Sequence, residues 1–568
     1  MAVSGARVVS GYFSLLGLMA AANAHTATPA AMPDSPARLI EEGLLRETQR
    51  LHDHPAAMSR DELHPEGVKT FPAEVAAESA CFDIRSIELE GPSSSGFGWL
   101  SQHAGPFLNR CLGVQGLGQL VSALDAALLD AGYVTSRVSL LAQNLAQGGV
   151  RLHVHAGRIA RMEADDGLRW QGAFPAAAGD LLNVRDLEQG MEQMNRLPSQ
   201  VVQAQLIPGE AADTSVVYIR NRSANGSRLR GAVMLDNSGS PSLGRPQLGM
   251  SLALDNPGSL NDLLSVSANT SLRELGPDHR SQSLAVSYSI PWGYSLISAS
   301  AYATAFAQRI QLTTTQAVSS GQSRGFELRW DRTVHRSRSG KLGLYGALSA
   351  RRSRSFLDDL ELLVQNRRNS FAMLGMHYKR LFRHSSLDGE LSVRKGIGWL
   401  GAEPDYEASG SNGVTLRPLI WNAGLSFEVP HMTRGGQLGY RMQVRTQYTR
   451  NATLTMDQFG IGSRSTVRGF DGASTLVAES GILWRNELAM PIQWGGQPAV
   501  AYLGIDLGRV GGRASDRLVG RHLAGVAIGL RTQWRLFSLD AALAFPLAKP
   551  RGFAAARVSP YLSVSYLF

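Results

Sequence analysis

The sequence predicts an exported chain in which two small α+β modules precede a transmembrane antiparallel β-barrel of about 16 strands. Three observations support this fold class. An apolar N-terminal run ends in a cleavage site, two segments combine one helical stretch with short strands, and period-two alternation dominates from residue 223 onward. The 568 residues are 43% hydrophobic and only 18% charged, with 60 glycines, which fits a long β-rich region with many turns.

Residues 1–24 have the pattern of a secretory signal peptide. Arg7 supplies a positive charge, residues 8–22 are mostly apolar, and Ala22-Asn23-Ala24 is an A-x-A cleavage site. The apolar run is too short to span a bilayer, and no other stretch reaches about 18 apolar residues. Any membrane-embedded part must therefore be a closed barrel, because lipid cannot satisfy open backbone groups.

Residues 25–77 are predicted to form one amphipathic helix followed by a linker. The helix falls within residues 36–52, and Pro and Gly interrupt residues 55–72. Its apolar positions lie roughly on one side: Leu39, Leu44, Leu45 and Leu51. The pattern does not distinguish a helix that packs on a partner, one that plugs a pore and one that is a solvated arm.

Residues 78–157 and 158–222 are predicted to form two α+β modules of similar plan. The first reads as β-α-α-β-β, with Gly132 at the C-terminal cap of its main helix. In the second, a helix from about residue 184 to 195 follows the N-cap Asn183 and stops before Pro198. Two such modules after a signal peptide indicate a periplasmic docking array.

The chain contains two cysteines, Cys81 and Cys111. An exported chain meets an oxidising compartment, which favours a disulfide between them over two buried thiols. In the chain-entropy model, closing this loop stabilises the fold by roughly 3–4 kcal/mol.

Residues 223–568 carry the barrel signature, apolar and polar residues in alternation, over enough chain for roughly 16 strands of ~9–11 residues. Some connections are predicted to be short and contain proline: 291–293, 430–432, 491–496 and 546–550. Others are predicted to be long and polar: about 269–281, 352–368, 401–414 and 450–475. Short turns at one end and long loops at the other match the periplasmic and extracellular ends of such barrels. The last strand alternates and ends in Tyr566 and Phe568, which resembles the signal read by the outer-membrane barrel assembly machinery.

Motifs for other chemistry are weak, so no catalytic residue, metal site or cofactor is expected. A GxGxxG match at 396–401 is followed by a loop and not by the helix that a dinucleotide site needs. His153 and His155 lie on the polar face of a strand. The net charge of +9 is assigned to a polar, Arg-rich lumen and loops, because no basic run with interleaved aromatics indicates nucleic-acid binding.

The chain resembles the TpsB transporters of two-partner secretion, the haemolysin and filamentous-haemagglutinin secretion proteins. Both its order of elements and several local sequence strings match that family. In that family two POTRA domains lie between an N-terminal helix and a barrel. The resemblance covers nearly the whole mature chain and is carried by these strings: Cys81 to Gly91, Cys111-Leu112, Gly132 to Val138, Leu182 to Gly190, Asn195 to Ser199, Pro208-Gly209, Val467 to Phe470 and Ile505 to Gly508.

The resemblance implies an anchor inside the barrel. Arg468, Gly469 and Phe470 match the tip of a long loop that folds back into the lumen, where its Arg meets a strand carboxylate. Asp506 and Gly508 match that strand, although Ile505 stands where the family has an aromatic residue. The motif does not decide whether the anchor gates the pore or only stabilises the barrel.

The resemblance also implies a function. We expect an outer-membrane pore of a Gram-negative bacterium, with periplasmic POTRA domains, that exports a TpsA-type exoprotein without ATP and is not an enzyme. Substrate docking is expected at Gly132, Tyr133, Val134, Asn183 and Arg196. Other expected partners are membrane lipid, lipopolysaccharide and the barrel assembly machinery. The alternatives are a barrel-assembly or insertase factor of the same superfamily and, less compatible with two modules, a porin or barrel enzyme.

Overall fold

The computed structural model describes residue 63 and residues 78–91, 94–223, 226–272, 279–311, 315–405, 413–430 and 438–568. The predicted signal peptide and almost all of the predicted N-terminal helix and linker lie outside these residues. Within them, no helix is long and apolar enough to cross a bilayer.

The first module is a small sheet covered by helices. Its elements are β1 (Phe82–Ile84), β2 (Ser86–Glu90), β3 (Arg110–Leu112), α1 (Ser101–Ala104), α2 (Val114–Asp130), β4 (Arg137–Leu140) and β5 (Gly149–His155). β1 pairs with β3, and the main sheet has the order β2-β5-β4. The apolar stripe of α2 packs on this sheet, with Leu120, Leu124 and Leu128 fully buried. The Cys81–Cys111 disulfide is formed, as predicted, and ties the chain ahead of β1 to β3.

The second module is simpler than the first, whereas the sequence suggested the same plan. It contains β6 (Arg158–Ala164), α3 (Val184–Asn195), β7 (Val202–Pro208) and β8 (Thr214–Asn221) in the sheet order β6-β8-β7. Turns and bends fill residues 165–183, and Phe174 from this stretch packs in the core beside Leu187 and Met194 of α3.

The barrel closes with 16 long antiparallel strands, as predicted. They are β9 (Leu229–Asp236), β10 (Gln247–Asp255), β11 (Leu263–Ser271), β12 (Arg280–Trp292), β13 (Ser295–Gln311), β14 (Gln316–Arg336), β15 (Gly340–Leu357), β17 (Arg367–Leu381), β18 (Ser386–Ile397), β19 (Leu419–Val429), β20 (Gly439–Tyr448), β23 (Ser480–Trp494), β24 (Gln497–Gly511), β25 (His522–Trp534), β26 (Phe537–Ala548) and β27 (Ser559–Leu567). A two-residue strand, β16 (Leu360–Glu361), is added to β15. Two further short strands, β21 (Phe459–Ile461) and β22 (Leu476–Ala478), pair with each other outside the barrel wall.

Alternation along each strand separates an outer apolar face from an inner polar one. On β14, Phe326, Leu328 and Trp330 are 44–50% exposed on the outside, while Arg329 and Asp331 pair on the inside. Since pairing preserves the face of each residue, the same division continues round the wall.

The two ends of the barrel differ in their connections. The end that carries the modules, here the near end, has tight turns at Gly293-Tyr294, Gly495-Gly496 and Arg535-Leu536. The far end has the long connections, including the one between β18 and β19 and residues 449–479.

One predicted turn lies at the wrong end, and one predicted loop is partly strand. Residues 546–550 do not form a near-end turn, because β26 continues to Ala548 and its connection to β27 lies at the far end. Pro546 instead falls at a β-bulge between β25 and β26, a position that tolerates a residue without an N–H donor. The predicted loop 352–368 is mostly strand, since β15 runs to Leu357 and β17 begins at Arg367.

The C-terminal residue closes the barrel. Phe568 exchanges backbone hydrogen bonds of 3.0 and 2.8 Å with Gly231 of β9, and β27 pairs with the same strand. The rings of Tyr566 and Phe568 stack on the outer surface with centroids 6.0 Å apart. The terminal aromatics are therefore exposed at the seam, and their role as an assembly signal remains a prediction.

Candidate functional site: the lumen loop and the module–barrel joint

A long connection, residues 449–479, enters the barrel between β20 and β23; we call it the lumen loop. β21 and β22 make it a narrow hairpin with the register Phe459↔Ala478 and Ile461↔Leu476. Phe459, Ile461 and Leu476 are buried in an apolar cluster with wall residues of β23, β24 and β25. This core holds the hairpin in one position, so that its tip is presented to the barrel wall.

The tip of the lumen loop binds the wall through a bidentate ion pair. Arg468 donates from Nε to Oδ2 and from Nη2 to Oδ1 of Asp506 on β24, both at 2.7 Å, and its backbone N–H donates to Oδ2 at 2.9 Å. Asp506 is fully buried and Arg468 is 5% exposed. The pair is thus removed from bulk water. Its planar, bidentate guanidinium–carboxylate geometry is that of the stronger class of charged hydrogen bonds.

A second carboxylate completes the cradle of Arg468. Glu487 of β23 accepts from Nη1 at 2.8 Å, and the carbonyl of Asn486 accepts from Nη2 at 2.9 Å. Glu487 also pairs with Arg531 of β25, whose Nε donates to Asp540 of β26 at 3.2 Å. Arg468 of the loop and charged residues of four adjacent strands, β23 to β26, therefore form one network of ion pairs.

Glycines on the wall make room for the tip. A Cβ at Gly504 would lie 2.2 Å from Cζ of Arg468, and one at Gly525 would lie 1.6 Å from its carbonyl oxygen. Gly508 faces Val467 and Ile461 in the same way. Gly469 has φ +104°, which favours glycine, and its N–H donates to the Tyr561 hydroxyl at 3.0 Å.

The aromatic residue of the tip packs against a far-end connection. Phe470 is 1% exposed and meets Phe553 edge to face at 5.7 Å. The structure therefore brings Arg468, Gly469, Phe470, Asp506 and Gly508 together. Beside them lies a polar cavity of about 420 Å³ whose lining includes Arg485, Gln533 and Asp540.

The base of the lumen loop is bound to a different part of the wall. Asp457 accepts from Arg351 of β15 at 3.2 Å and from Arg394 of β18 at 3.1 Å, and it is 3% exposed. In the strand order of the barrel, β24 is the sixth strand after β15 when the two-residue strand β16 is left out. The loop thus crosses the lumen and is held by ion pairs at both sides.

The five predicted docking residues do not share one surface. Gly132 (φ +97°) and Asn183 meet where the modules join, with Val184 N donating to Gly132 O at 2.9 Å and Asn183 Nδ2 donating to Ala131 O at 3.2 Å. Tyr133 packs edge to face on Phe97, and Val134 is exposed just before β4. Arg196 lies at the barrel.

Helix α3 of the second module rests on the near-end turns; we call this contact the module–barrel joint. Gln193 donates to the carbonyl oxygens of Gly293 and Ser295 at 3.2 and 3.3 Å. Arg336, at the end of β14, donates to Gln189 at 3.0 Å and to Glu192 at 2.8 Å. The side chain of Arg336 is only 1% exposed, so this contact buries charge.

Arg196 extends the joint to strand β12 and to the connection between β10 and β11. Its Nη1 donates to Oγ of Ser289 at 3.0 Å, and its Nη2 donates to Asn261 O at 3.3 Å. Burial lowers the pKa of Arg196 to about 10, although the charges of Asp255 and Asp262 oppose that shift. Burial also raises the pKa of Asp186, which accepts a hydrogen bond from Tyr294 in the turn. These residues orient the second module on the barrel mouth.

Sequence reasoning missed several members of both sites. Four charged members belong to no local motif: Glu487, Asp457, Arg336 and Glu192. Two glycines, Gly504 and Gly525, do not stand out in sequence among the 60 glycines of the chain. Asp506 and Gly508 were found because they belong to a recognisable string. The one available signal for Gly504 was its spacing of two and four residues from Asp506 and Gly508, which places all three on one strand face.

Comparison with known proteins decides the family. Residues 213–532 match the model of the haemolysin secretion/activation protein ShlB/FhaC/HecB, more than half of the chain. The chain belongs to this family. Residues 82–157 match the ShlB-type POTRA domain and residues 153–208 match a POTRA domain. The two α+β modules are therefore POTRA domains, as the resemblance predicted.

Individual relatives agree along most of the chain. It is 34% identical over 469 residues to the outer membrane transporter CdiB-2 of Burkholderia pseudomallei, covering 81% of this chain and 79% of the relative. It is 28% identical over 468 residues to the hemolysin transporter protein ShlB of Serratia marcescens, covering 81% of each. The structure of CdiB from Escherichia coli superposes with a TM-score of 0.84 at 26% identity, covering 95% of this chain and all of that one.

Membership fixes the orientation of the molecule. The chain is an outer-membrane transporter of the ShlB/FhaC/HecB family, its barrel lies in the outer membrane and its POTRA domains lie in the periplasm. The near end of the barrel is therefore periplasmic, and the far end faces the cell exterior.

Proposed function

We propose that this chain recognises one large partner exoprotein in the periplasm and conducts it, unfolded, through the barrel to the cell surface without ATP. The proposed divisions are a signal peptide (1–24), an N-terminal helix and linker (25–77), two POTRA domains (78–157 and 158–222) and the barrel (223–568). Folding or binding of the partner outside the cell would make the movement one-way.

The observation that carries the proposal is the lumen loop fixed on both sides of the barrel. Arg468 binds Asp506 and Glu487 on one side, and Asp457 binds Arg351 and Arg394 on the other. A chain in transit has to displace this loop, which makes the ion pairs a two-state element of the kind that switching proteins use. A passive porin does not need periplasmic modules oriented on its mouth by buried charges.

Docking is proposed at the edge of β4 in the first POTRA domain. β4 is the outer strand of the sheet β2-β5-β4, so an extended partner segment can add to it by backbone hydrogen bonds. An apolar groove runs beside that edge and is lined by Val114, Leu117, Val121 and Leu140. A partner strand with alternating apolar residues would fill the groove, whereas Gly132, Asn183 and Arg196 would act by orienting the domains.

The partner class follows from the relatives. ShlB of Serratia marcescens is a hemolysin transporter, and CdiB-2 of Burkholderia pseudomallei is an outer membrane transporter. A TpsA-type exoprotein, whether adhesin, haemolysin or contact-dependent toxin, is accordingly the proposed cargo. Lipopolysaccharide, membrane lipid and the barrel assembly machinery, which would read Tyr566 and Phe568, are proposed as further contacts. No catalytic step is proposed.

Export itself is the test. A large exoprotein, sought among the genes that neighbour the one for this chain, is assayed in culture medium with the transporter present and deleted, while the levels of other outer-membrane barrels are monitored. We expect the exoprotein to disappear from the medium and the other barrels to stay at normal levels. Unchanged export with a broad loss of other barrels would support an assembly factor instead.

The docking surface is tested with Leu140→Asp, which introduces a charge into the groove. Burying a carboxylate against the partner's apolar residues costs at least ~1–3 kcal/mol, so export should fall by about tenfold or more. Leu129→Asp is the matched control, because Leu129 is 52% exposed on the same domain and does not line the groove. Equal export by the two variants would remove β4 and its groove from the docking proposal.

A further inference from the structure

Three arginines form a row across the outer surface of the barrel. Arg324 of β14 lies directly opposite Arg352 of β15, and Arg352 lies directly opposite Arg368 of β17. All three are exposed. Directly opposed residues on paired strands have Cβ atoms about 4.5–5.5 Å apart on the same face. Three positive charges are thus held side by side; we call these residues the arginine row.

The outward direction of the row follows from its neighbours. Arg324 alternates in phase with Phe326, Leu328 and Trp330, which cover the outside of β14. Arg352 is likewise in phase with the exposed Leu348 and Leu344 of β15, and Arg368 with Leu374 and Met376 of β17. The row therefore points away from the lumen.

The height of the row matches the outer border of the apolar band. On β14 the next outward charge toward the periplasm is Arg332, eight residues from Arg324, which is about 26 Å along a strand at ~3.3 Å per residue. At a strand tilt of ~35–45°, this length corresponds to a height of roughly 20 Å, somewhat less than the ~25 Å apolar band of outer-membrane barrels. Arg324 consequently lies at the headgroup level of the outer leaflet, and Arg332 at that of the inner leaflet.

Protein carboxylates balance only the margins of the row. Nε of Arg368 lies 3.7 Å from Oε1 of Glu403. Nε of Arg354, the neighbouring outward residue on β15, lies 3.8 Å from Oε1 of Glu361. In the described part of the chain, no ion pair is present for Arg324 or Arg352. Like charges directly opposite each other on a sheet are destabilising, so the centre of the row favours an external anion.

We propose that the arginine row binds the phosphorylated headgroup of the outer-leaflet glycolipid, the lipid A part of lipopolysaccharide. Arginine presents a planar fork that binds phosphate bidentately, and adjacent forks can hold a headgroup with more than one phosphate. The apolar band directly below receives the acyl chains. The inference rests on the proposed contact with lipopolysaccharide and names its site, and it does not depend on which exoprotein is exported.

The test measures lipid A binding to the purified full-length protein in detergent by native mass spectrometry. The variant R324Q/R352Q should bind lipid A at least about tenfold more weakly than the wild type. R332Q/R380Q is the matched control, since it removes two arginines from the outer face of β14 and β17 at the inner-leaflet border. This control should bind lipid A as the wild type does.

Three further arms complete the test. R324K/R352K keeps the charge but not the fork and should bind with intermediate affinity, which also guards against a folding defect in the glutamine variant. Dephosphorylated lipid A should bind wild type and R324Q/R352Q equally weakly.

Equal lipid A affinity of wild type and R324Q/R352Q would overturn the proposal. Equally effective competition by inorganic phosphate would also overturn it, because that result would indicate a free-anion site. Export of the exoprotein is measured in the same variants and reports on the proposed function separately.

Discussion

Arg468 uses the geometry of its side chain as well as its charge. Three of its N–H groups reach Asp506, two others reach Glu487 and Asn486, and the whole group is buried. A lysine could replace the charge but not the planar fork that meets both carboxylate oxygens at once. The glycines at 504 and 525 are required because any side chain there would occupy the volume of Arg468.

The first prediction concerns the coupling between Arg468 and Asp506. In a double-mutant cycle of R468K and D506N, the unfolding free energy in detergent should give a coupling of about 1–3 kcal/mol, because the pair is buried and bidentate. The exposed pair Arg521–Asp516 is the control and should couple by less than about 1 kcal/mol. A coupling between 468 and 506 as small as that of the exposed pair would show that the ion pair is not the anchor.

At this scale the sequence predicted the residues that belong to strings. Arg468 and Asp506 could be paired in advance because both carry a recognisable motif. Glu487 and Asp457 could not, because their contacts depend on which strands become neighbours in the closed wall. The five docking residues came from strings too, but Gly132, Asn183 and Arg196 lie where domains meet. Such contacts depend on how the domains pack, which local patterns do not contain.

At the scale of elements, the lumen loop crosses the channel and is attached to the barrel wall near its tip and near its base. Its tip is held by β23 and β24 and its base by β15 and β18. Both attachments are ion pairs, which can open and re-form without unfolding of the hairpin core. The arrangement favours a loop that moves as a unit over one that unravels.

The second prediction is that D457N loosens one attachment and leaves the other intact. Breaking a buried ion pair by removing one partner costs about 3–5 kcal/mol, so the loop should leave its closed position more often. Single-channel recording in planar bilayers should show more frequent openings of D457N than of the wild type. D516N is the control, because Asp516 lies outside the lumen loop and pairs with the half-exposed Arg521. Identical traces for D457N and wild type would exclude a gating role for this attachment.

Element types were largely predictable and their ends were not. Period-two alternation predicted the barrel and its approximate strand number, and the helix caps at Gly132 and Asn183 located α2 and α3. Pro546 was misleading because proline punctuates turns and bulges alike, and only strand register separates the two. The second POTRA domain lacks a first helix because Trp170 and Phe174 cover its sheet from an irregular segment.

For the whole molecule, the joint and the loop define one path. Helix α3 fixes the POTRA domains on the periplasmic mouth through Arg336, Glu192 and Gln193. The lumen loop stands across the channel beyond that mouth. A partner captured at β4 would reach the cell surface only through the lumen of the barrel. The outer face of the barrel would contact lipid alone.

The most direct measurement is site-specific photo-crosslinking in cells that are exporting the exoprotein. A photoreactive residue is placed at Gln533, which lines the lumen cavity, or at Ile528, which is 60% exposed on the outer face of the same strand. We predict a covalent adduct with the exoprotein from position 533 and none from position 528. Export that continues without any adduct at 533, or with equal adducts at both positions, would contradict transport through the barrel.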